Sequence, residues 1–336
     1  MRTKKRLITV LAPVFALLVA CSSGGSGRPA IEDAGRGTPS LVPAARPAVA
    51  ADYPAASDTS CDPRQSLTPL AELPEPGRLP AGSTMEAIRA KGYLSVGVDQ
   101  NTLFFASLKK NAPPVDGRSK IEGFDIDMAE EVGKAIFGDG PSHVRYTVIT
   151  QAQRIEMLQS DKVDLVIDTM TITCDRKKQV AFSGNYYDDG QKILVPYDSS
   201  AQRIEDLAGR RVCTARGTTS IATLRDKGVQ PYAVDKWTDC LVALQRNEVD
   251  AVSTTGALLG GLQAQDADTE VRGPRFTDEP HGMAVRLDRT DFVRFLNTLL
   301  RDMLADGRWM GLYDTWLRGP LRDETEDPRP VTRYAG

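Results

Sequence analysis

Histidine is nearly absent from this 336-residue chain, which carries only His143 and His281, and none of its five cysteines falls in a Cys-x-x-Cys pair. A zinc site or a thioredoxin-like redox centre is therefore not expected, because the first needs clustered nitrogen and sulfur ligands and the second needs neighbouring thiols. No Gly-x-Ser-x-Gly segment is present to present a serine nucleophile. Basic excess is missing too: the formal charge is −3, which argues against a nucleic-acid partner. The apolar run Leu7 to Val19 has 13 residues, too few at about 1.5 Å per residue to cross a hydrocarbon core of about 30 Å. These gaps leave no expected cofactor and little with which to build an enzyme.

What is there begins with a targeting signal. Arg2, Lys4, Lys5 and Arg6 precede the apolar run, as in the n- and h-regions of a secretory signal over residues 1–20. The run ends Leu18-Val19-Ala20-Cys21, which resembles the lipobox of bacterial lipoproteins. Cys21 is thus the expected lipidation site, its several acyl chains giving firm anchoring at the outer face of the cell membrane. The other cysteines, Cys61, Cys174, Cys213 and Cys240, form an even set in an oxidising compartment, so two disulfides are expected, with three connectivities open. Residues 21–82 are rich in Gly, Ser, Pro and Ala and read as a flexible tether. Cys61 within it suggests that its distal part is tied back to the globular body. Residues 319–336, opening with Gly319-Pro320, read as a disordered tail.

Between these ends strands alternate with helices. Leu94, Val96 and Val98 alternate as in a strand; Met128, Val132, Ala135 and Ile136 mark a helix face after Gly123-Phe124-Asp125; Val144, Tyr146 and Val148 alternate again. Such alternation predicts α/β layers. One internal echo is informative: Leu158-Gln159, Val163-Asp164 and Val166 return as Leu244-Gln245, Val249-Asp250 and Val252, at a constant offset of 86 residues. Two similar α/β lobes are expected, with a ligand cleft between them.

From about Ser83 to Leu317 the chain resembles the polar amino acid-binding proteins of ABC importers, solute-binding family 3. Segments that carry the likeness arrive in family order: Gly123-Phe124-Asp125-Ile126-Asp127, Val163-Asp164-Leu165, Thr169-Met170-Thr171-Ile172-Thr173 with Arg176, Phe182-Ser183, Asp206-Leu207-Ala208-Gly209, Gly217-Thr218-Thr219-Ser220, then Gly307, Trp309 and Trp316. The resemblance implies a two-lobed periplasmic-binding-protein-like (type II) fold, lobe one being 83–189 and 284–318 and lobe two 193–280. Two hinge strands, near Asp189-Gly190-Gln191 and Pro280-His281-Gly282, would join them. On that pattern Cys213 pairs with Cys240 inside lobe two, and Cys61 with Cys174. A monomer serving an ABC permease is implied, or alternatively a sensing module for a membrane signalling partner. An extracellular dehydratase on the same fold is the remaining alternative, but neither His281 nor His143 stands where a placed acid or base is evident.

The resemblance also assigns site residues. Arg176 would fork onto the ligand's α-carboxylate, a role its two parallel N–H donors suit, with the Thr171 hydroxyl and N–H beside it and the Thr169 carbonyl facing the amine. Thr218 and Thr219, in the loop opening a helix, would cap the same carboxylate with backbone N–H groups. Arg154 would reach a side-chain carboxylate. From position alone, Arg216 before the Gly217 loop is a candidate for a second positive charge, and Phe104 after the first strand is a candidate pocket wall or plain core. An acidic amino acid, glutamate or aspartate, is expected on this basis, with asparagine or glutamine less favoured. One position departs from the family. Thr255 stands where an aspartate usually accepts the ligand's ammonium, so either Asp99 or Asp188 compensates, or the ligand lacks an amine, or binding is weak.

Overall fold

The computed structural model describes residues 58–109, 120–319 and 328–335; the signal segment and Cys21 lie outside them. Two five-stranded mixed sheets of the same design organise the chain. In the first, Leu94–Val98 lies between the parallel strands Val144–Val148 and Leu165–Val166, followed by the antiparallel strands Glu279–Arg286 and Val180–Asp189. In the second, Arg211–Ala215 lies between the parallel strands Gln230–Val234 and Ala251–Thr255, followed by the antiparallel strands Gln191–Pro196 and Thr269–Arg272. The internal echo falls on equivalent strands: Val96 pairs with Leu165 and Gly97 with Val166, while Val212 pairs with Ala251 and Cys213 with Val252.

The chain changes sheet at Gly190 and returns between Arg272 and Glu279. The second crossing therefore precedes the expected Pro280-His281-Gly282, which instead lies inside a strand that carries irregular register at His281 and Gly282.

Burial explains why the elements form where they do. The helix Phe124–Phe137 puts Phe124, Met128, Val132 and Ile136 on its buried face at helical spacing. It starts at Gly123, with φ +141°, where a Cβ would sit 2.2 Å from the Phe105 carbonyl oxygen; only glycine fits. Phe124 packs edge-on to Phe105 and Trp309 and stacks with Tyr186. The Trp309 indole N–H donates to the Tyr186 carbonyl at 2.8 Å, so this large buried group satisfies its one polar atom. Each such side chain contributes about 1.5–3 kcal/mol by leaving water. The cluster matters for function because Tyr186 reaches from it into the wall of the cleft.

Two expectations at the chain ends are corrected. Residues 58–82 are not a free tether: Gln65–Leu67 forms a parallel strand with Arg333–Ala335, and Leu67, Leu70, Leu73 and Leu79 pack on the main core. Average composition conceals these spaced leucines, each of which buries enough surface to hold a short segment down. Nor is the tail loose throughout, since 333–335 supply the partner strand. Arg64 locks the strap in place with ion pairs to Asp188 and Asp278. The disulfides are Cys61–Cys174 and Cys213–Cys240.

Candidate functional site

Strand ends and helix starts from both sheets converge on a small, polar cavity. Arg154 and Arg176 line it, and both are almost fully buried. Arg154 opens the helix Arg154–Gln159. Its guanidinium donates to the carbonyl oxygens of Gln151 and Asp168, each at 2.9 Å, and of Gly217 at 3.1 Å. Arg176 sits in the short helix Cys174–Lys177, capped by the Thr173 hydroxyl, which accepts from the Arg176 N–H. Its guanidinium donates to the carbonyls of Thr171 at 2.7 Å and Gly217 at 3.0 Å. Burial, and then the neighbouring Arg154 charge, pull the Arg176 pKa down to about 9. Asp168 stands 3.9 Å from Arg154, and burial pushes its carboxyl well above the usual carboxylate range.

Thr169 and Thr171 form the wall on the first-sheet side. Thr169 has φ +41°, an uncommon conformation for a β-branched residue. Its N–H donates to Asp125 Oδ2 at 3.1 Å and to the Tyr186 hydroxyl at 3.2 Å, and that hydroxyl donates to Asp125 Oδ1 at 2.7 Å. Strain of this kind persists only where the surroundings over-determine it, and here the aromatic core does so. Burial pushes the Asp125 pKa up to about 7.

Glu279 also lines the cavity. The Thr171 hydroxyl donates to its Oε2 at 2.8 Å, and Thr277 and the Gln191 amide donate to its Oε1.

The second-sheet side supplies Thr218, Thr219 and Ser220, where the helix Ser220–Asp226 begins. The Thr218 hydroxyl is turned back to the Ala215 carbonyl at 2.7 Å, while that of Thr219 reaches Glu279 at 3.3 Å. Gly217, φ +73°, approaches the first half so closely that a Cβ would lie 2.5 Å from Ala152 Cα. Trp237, Thr254, Thr255 and Leu258 complete this side. The Trp237 indole N–H and the Thr255 hydroxyl are buried without a hydrogen-bond partner among the described residues. Buried polar groups are normally satisfied, so these two face the cavity as unused hydrogen-bonding capacity.

Of the residues singled out in the sequence, Arg154, Arg176, Thr169, Thr171, Thr218, Thr219 and Thr255 come together here. Four do not. Asp99 is consumed by Asn101, Thr102 and Gln151, whose donors saturate its carboxylate. Arg216 turns to Asp235 at 3.1 Å. Phe104 packs against the main core beside buried Phe105. Asp188 is held by Arg64 and Asn185. Glu279, Trp237 and Leu258 also line the cavity without having been singled out in the sequence. Glu279 and Trp237 approach from elements remote from the recognised motifs, and Leu258, three residues after Thr255, reads as an ordinary core leucine of its helix. The one available signal was an acid placed directly before Pro280 at the crossover.

Residues 95–319 match the family model for bacterial extracellular solute-binding proteins, family 3. The ABC transporter glutamine-binding protein of Bacillus subtilis (strain 168) is 34% identical over 238 residues, covering 70% of this chain and 85% of its own. A glutamate-binding protein of Corynebacterium glutamicum is 31% identical over 207 residues, covering 58% and 70%. Among solved structures, holo ArgBP from T. maritima matches with a TM-score of 0.60 and 32% identity over 69% of this chain and 98% of its own. An ancestral arginine-binding protein bound to glutamine matches with a TM-score of 0.61 and 32% identity over 67% and 98%.

Proposed function

From the premise that this chain belongs to the bacterial extracellular solute-binding proteins of family 3, and so has a substrate-binding role, we propose that it captures an acidic amino acid, glutamate or aspartate, by closure of its two halves. It then presents the ligand to an ABC permease, as the names of its relatives suggest. The family's extracellular setting and the N-terminal sequence support a position at the outer face of the membrane, held by lipid on Cys21. Binding without turnover follows at the level of the family.

The observation that carries the ligand class is the pairing of Arg154 with Arg176 in one cavity. A ligand with two carboxylates meets both guanidinium groups, whereas a cationic side chain is repelled. A neutral side chain leaves Arg154 facing only carbonyl oxygens and Asp168, whose carboxyl is pushed toward its neutral form by burial. Buried charges are tolerated only when paired. The Trp237 N–H adds a free donor for a ligand oxygen. Arg176 and Thr171 come from one half and the Thr218 loop from the other, so a ligand touching all of them favours the closed form by differential contact.

A thermal-shift screen of the purified protein tests this, because a ligand selective for the folded form raises the melting temperature. Glutamate or aspartate should give the largest rise. A larger rise with arginine or with a neutral amino acid would overturn the acidic assignment.

A further inference from the structure

We propose that Glu279 takes the ligand's ammonium group, so that the site selects α-amino acids over carboxylic acids that lack an amine. This rests on the acidic amino acid reading above and deepens it.

Glu279 is 5% exposed, and it is the one carboxylate among the described lining residues of the cavity. Its oxygens accept only from neutral groups: Thr171 at 2.8 Å, Thr277 at 3.2 Å, Thr219 at 3.3 Å and the Gln191 amide. No cation lies within ion-pair distance of it among the described residues, although Arg154 and Arg176 feel its charge across the cavity. A buried carboxylate with hydroxyl and amide partners but no counter-charge is positioned to receive a cation, and a ligand ammonium brings three donors and the missing charge together.

Charge balance points the same way. Arg154 and Arg176 against Glu279 leave one positive charge on the lining. An α-amino dicarboxylate, with two negative groups and one positive, matches that pattern group for group; a plain dicarboxylate leaves Glu279 facing its carboxylates.

The other candidates for this task are spent. Asp99 does not line the cavity and is held in its own turn and by Gln151, and Asp188 is bound to Arg64. Asp189 accepts from the N–H groups of Gly190, Gly256 and Ala257. Thr255 offers a hydroxyl without charge. Glu279 also begins the strand that returns from the second sheet, and it is held by Thr171 from one half and Thr219 from the other. An ammonium docked there is contacted fully only when the halves are together.

The test compares glutamate with glutarate, its des-amino counterpart, by titration calorimetry on the parent protein and the Glu279→Gln variant, with melting temperature as the folding control. The parent should prefer glutamate. Glu279→Gln should weaken glutamate by roughly 30-fold or more while leaving glutarate unchanged or tighter, and adding Thr255→Asp should restore part of the glutamate affinity. Unchanged glutamate affinity, or equal losses for both ligands, would overturn the role of Glu279 alone. A parent that binds neither glutamate nor aspartate overturns the acidic reading. The Glu279 proposal is then judged on glutamine against its des-amino analogue by the same criterion.

Discussion

The guanidinium groups of Arg154 and Arg176 meet at one acceptor, the Gly217 carbonyl oxygen, at 3.1 and 3.0 Å. Two like charges converge there because the carbonyl comes from the opposite half of the molecule and carries partial negative charge to these buried side chains. A carboxylate is a stronger acceptor for such donors than a neutral carbonyl, with charge-assisted bonds about twice as strong. The arrangement is therefore poised to exchange one for the other when an acidic ligand enters.

Replacing either arginine should separate the two roles. Arg176→Ala is predicted to cost about 2–5 kcal/mol of binding for every amino acid ligand. Arg154→Ala should lower glutamate and aspartate affinity more than that for asparagine and glutamine. Titration calorimetry checks both; equal losses across acids and amides in the Arg154 variant would count against its contact with a side-chain carboxylate.

Gly217 gives a test of closure that leaves the charges alone. A methyl group there has no space against Ala152, and the φ of +73° disfavours it further. Gly217→Ala should weaken ligand binding by about 1–3 kcal/mol and shift the unliganded protein toward a larger radius of gyration in small-angle scattering. A variant as compact and as tight-binding as the parent would show that this contact does not govern closure.

His281 predicts a pH effect with a definite sign. It is fully buried, neither ring nitrogen has a partner among the described residues, and burial together with Arg154, Arg176 and Arg275 pulls its pKa down to about 3. The unfolded chain gains a proton as pH falls through about 6.5, whereas the folded chain does not until about 3, so this group removes stability across that window. Asp125 acts oppositely: with its folded pKa raised from 3.8 to about 7, its contribution is present at low pH and is lost progressively as pH rises between those values. The difference between variant and parent isolates the histidine. His281→Gln should gain on the parent by about 1.4 kcal/mol for each pH unit below 6.5, measured by denaturant unfolding at pH 7.5 and 4.5. A gap that does not change with pH would contradict the assignment.

Much of this was legible in the sequence for physical reasons. Alternating Leu94, Val96 and Val98 and the spaced face of Phe124, Met128, Val132 and Ile136 follow from the two periodicities of strand and helix. The 86-residue echo marked equivalent strands because both copies bury the same middle strand of a sheet. Arg176 and Thr171 were readable as site residues through the resemblance of the Thr169 to Arg176 segment to its family, not from spacing alone. Glu279 was not, since only the crossover between sheets brings it beside Thr171, 108 residues away in the chain. Asp99 and Arg216 misled for the converse reason: local partners, Thr102 and Asp235, claim them before any ligand can. The strap made by Gln65–Leu67 and Arg333–Ala335 joins the two ends of the chain, a pairing that composition cannot reveal.

The most direct measurement is a crystal structure of the protein grown with glutamate. The account predicts the ligand inside the cavity, one carboxylate on Arg176 and the N–H groups at the start of the Ser220 helix, the other on Arg154, and the ammonium on Glu279. A ligand bound elsewhere, or bound here with both carboxylates turned away from the two arginines, would contradict it.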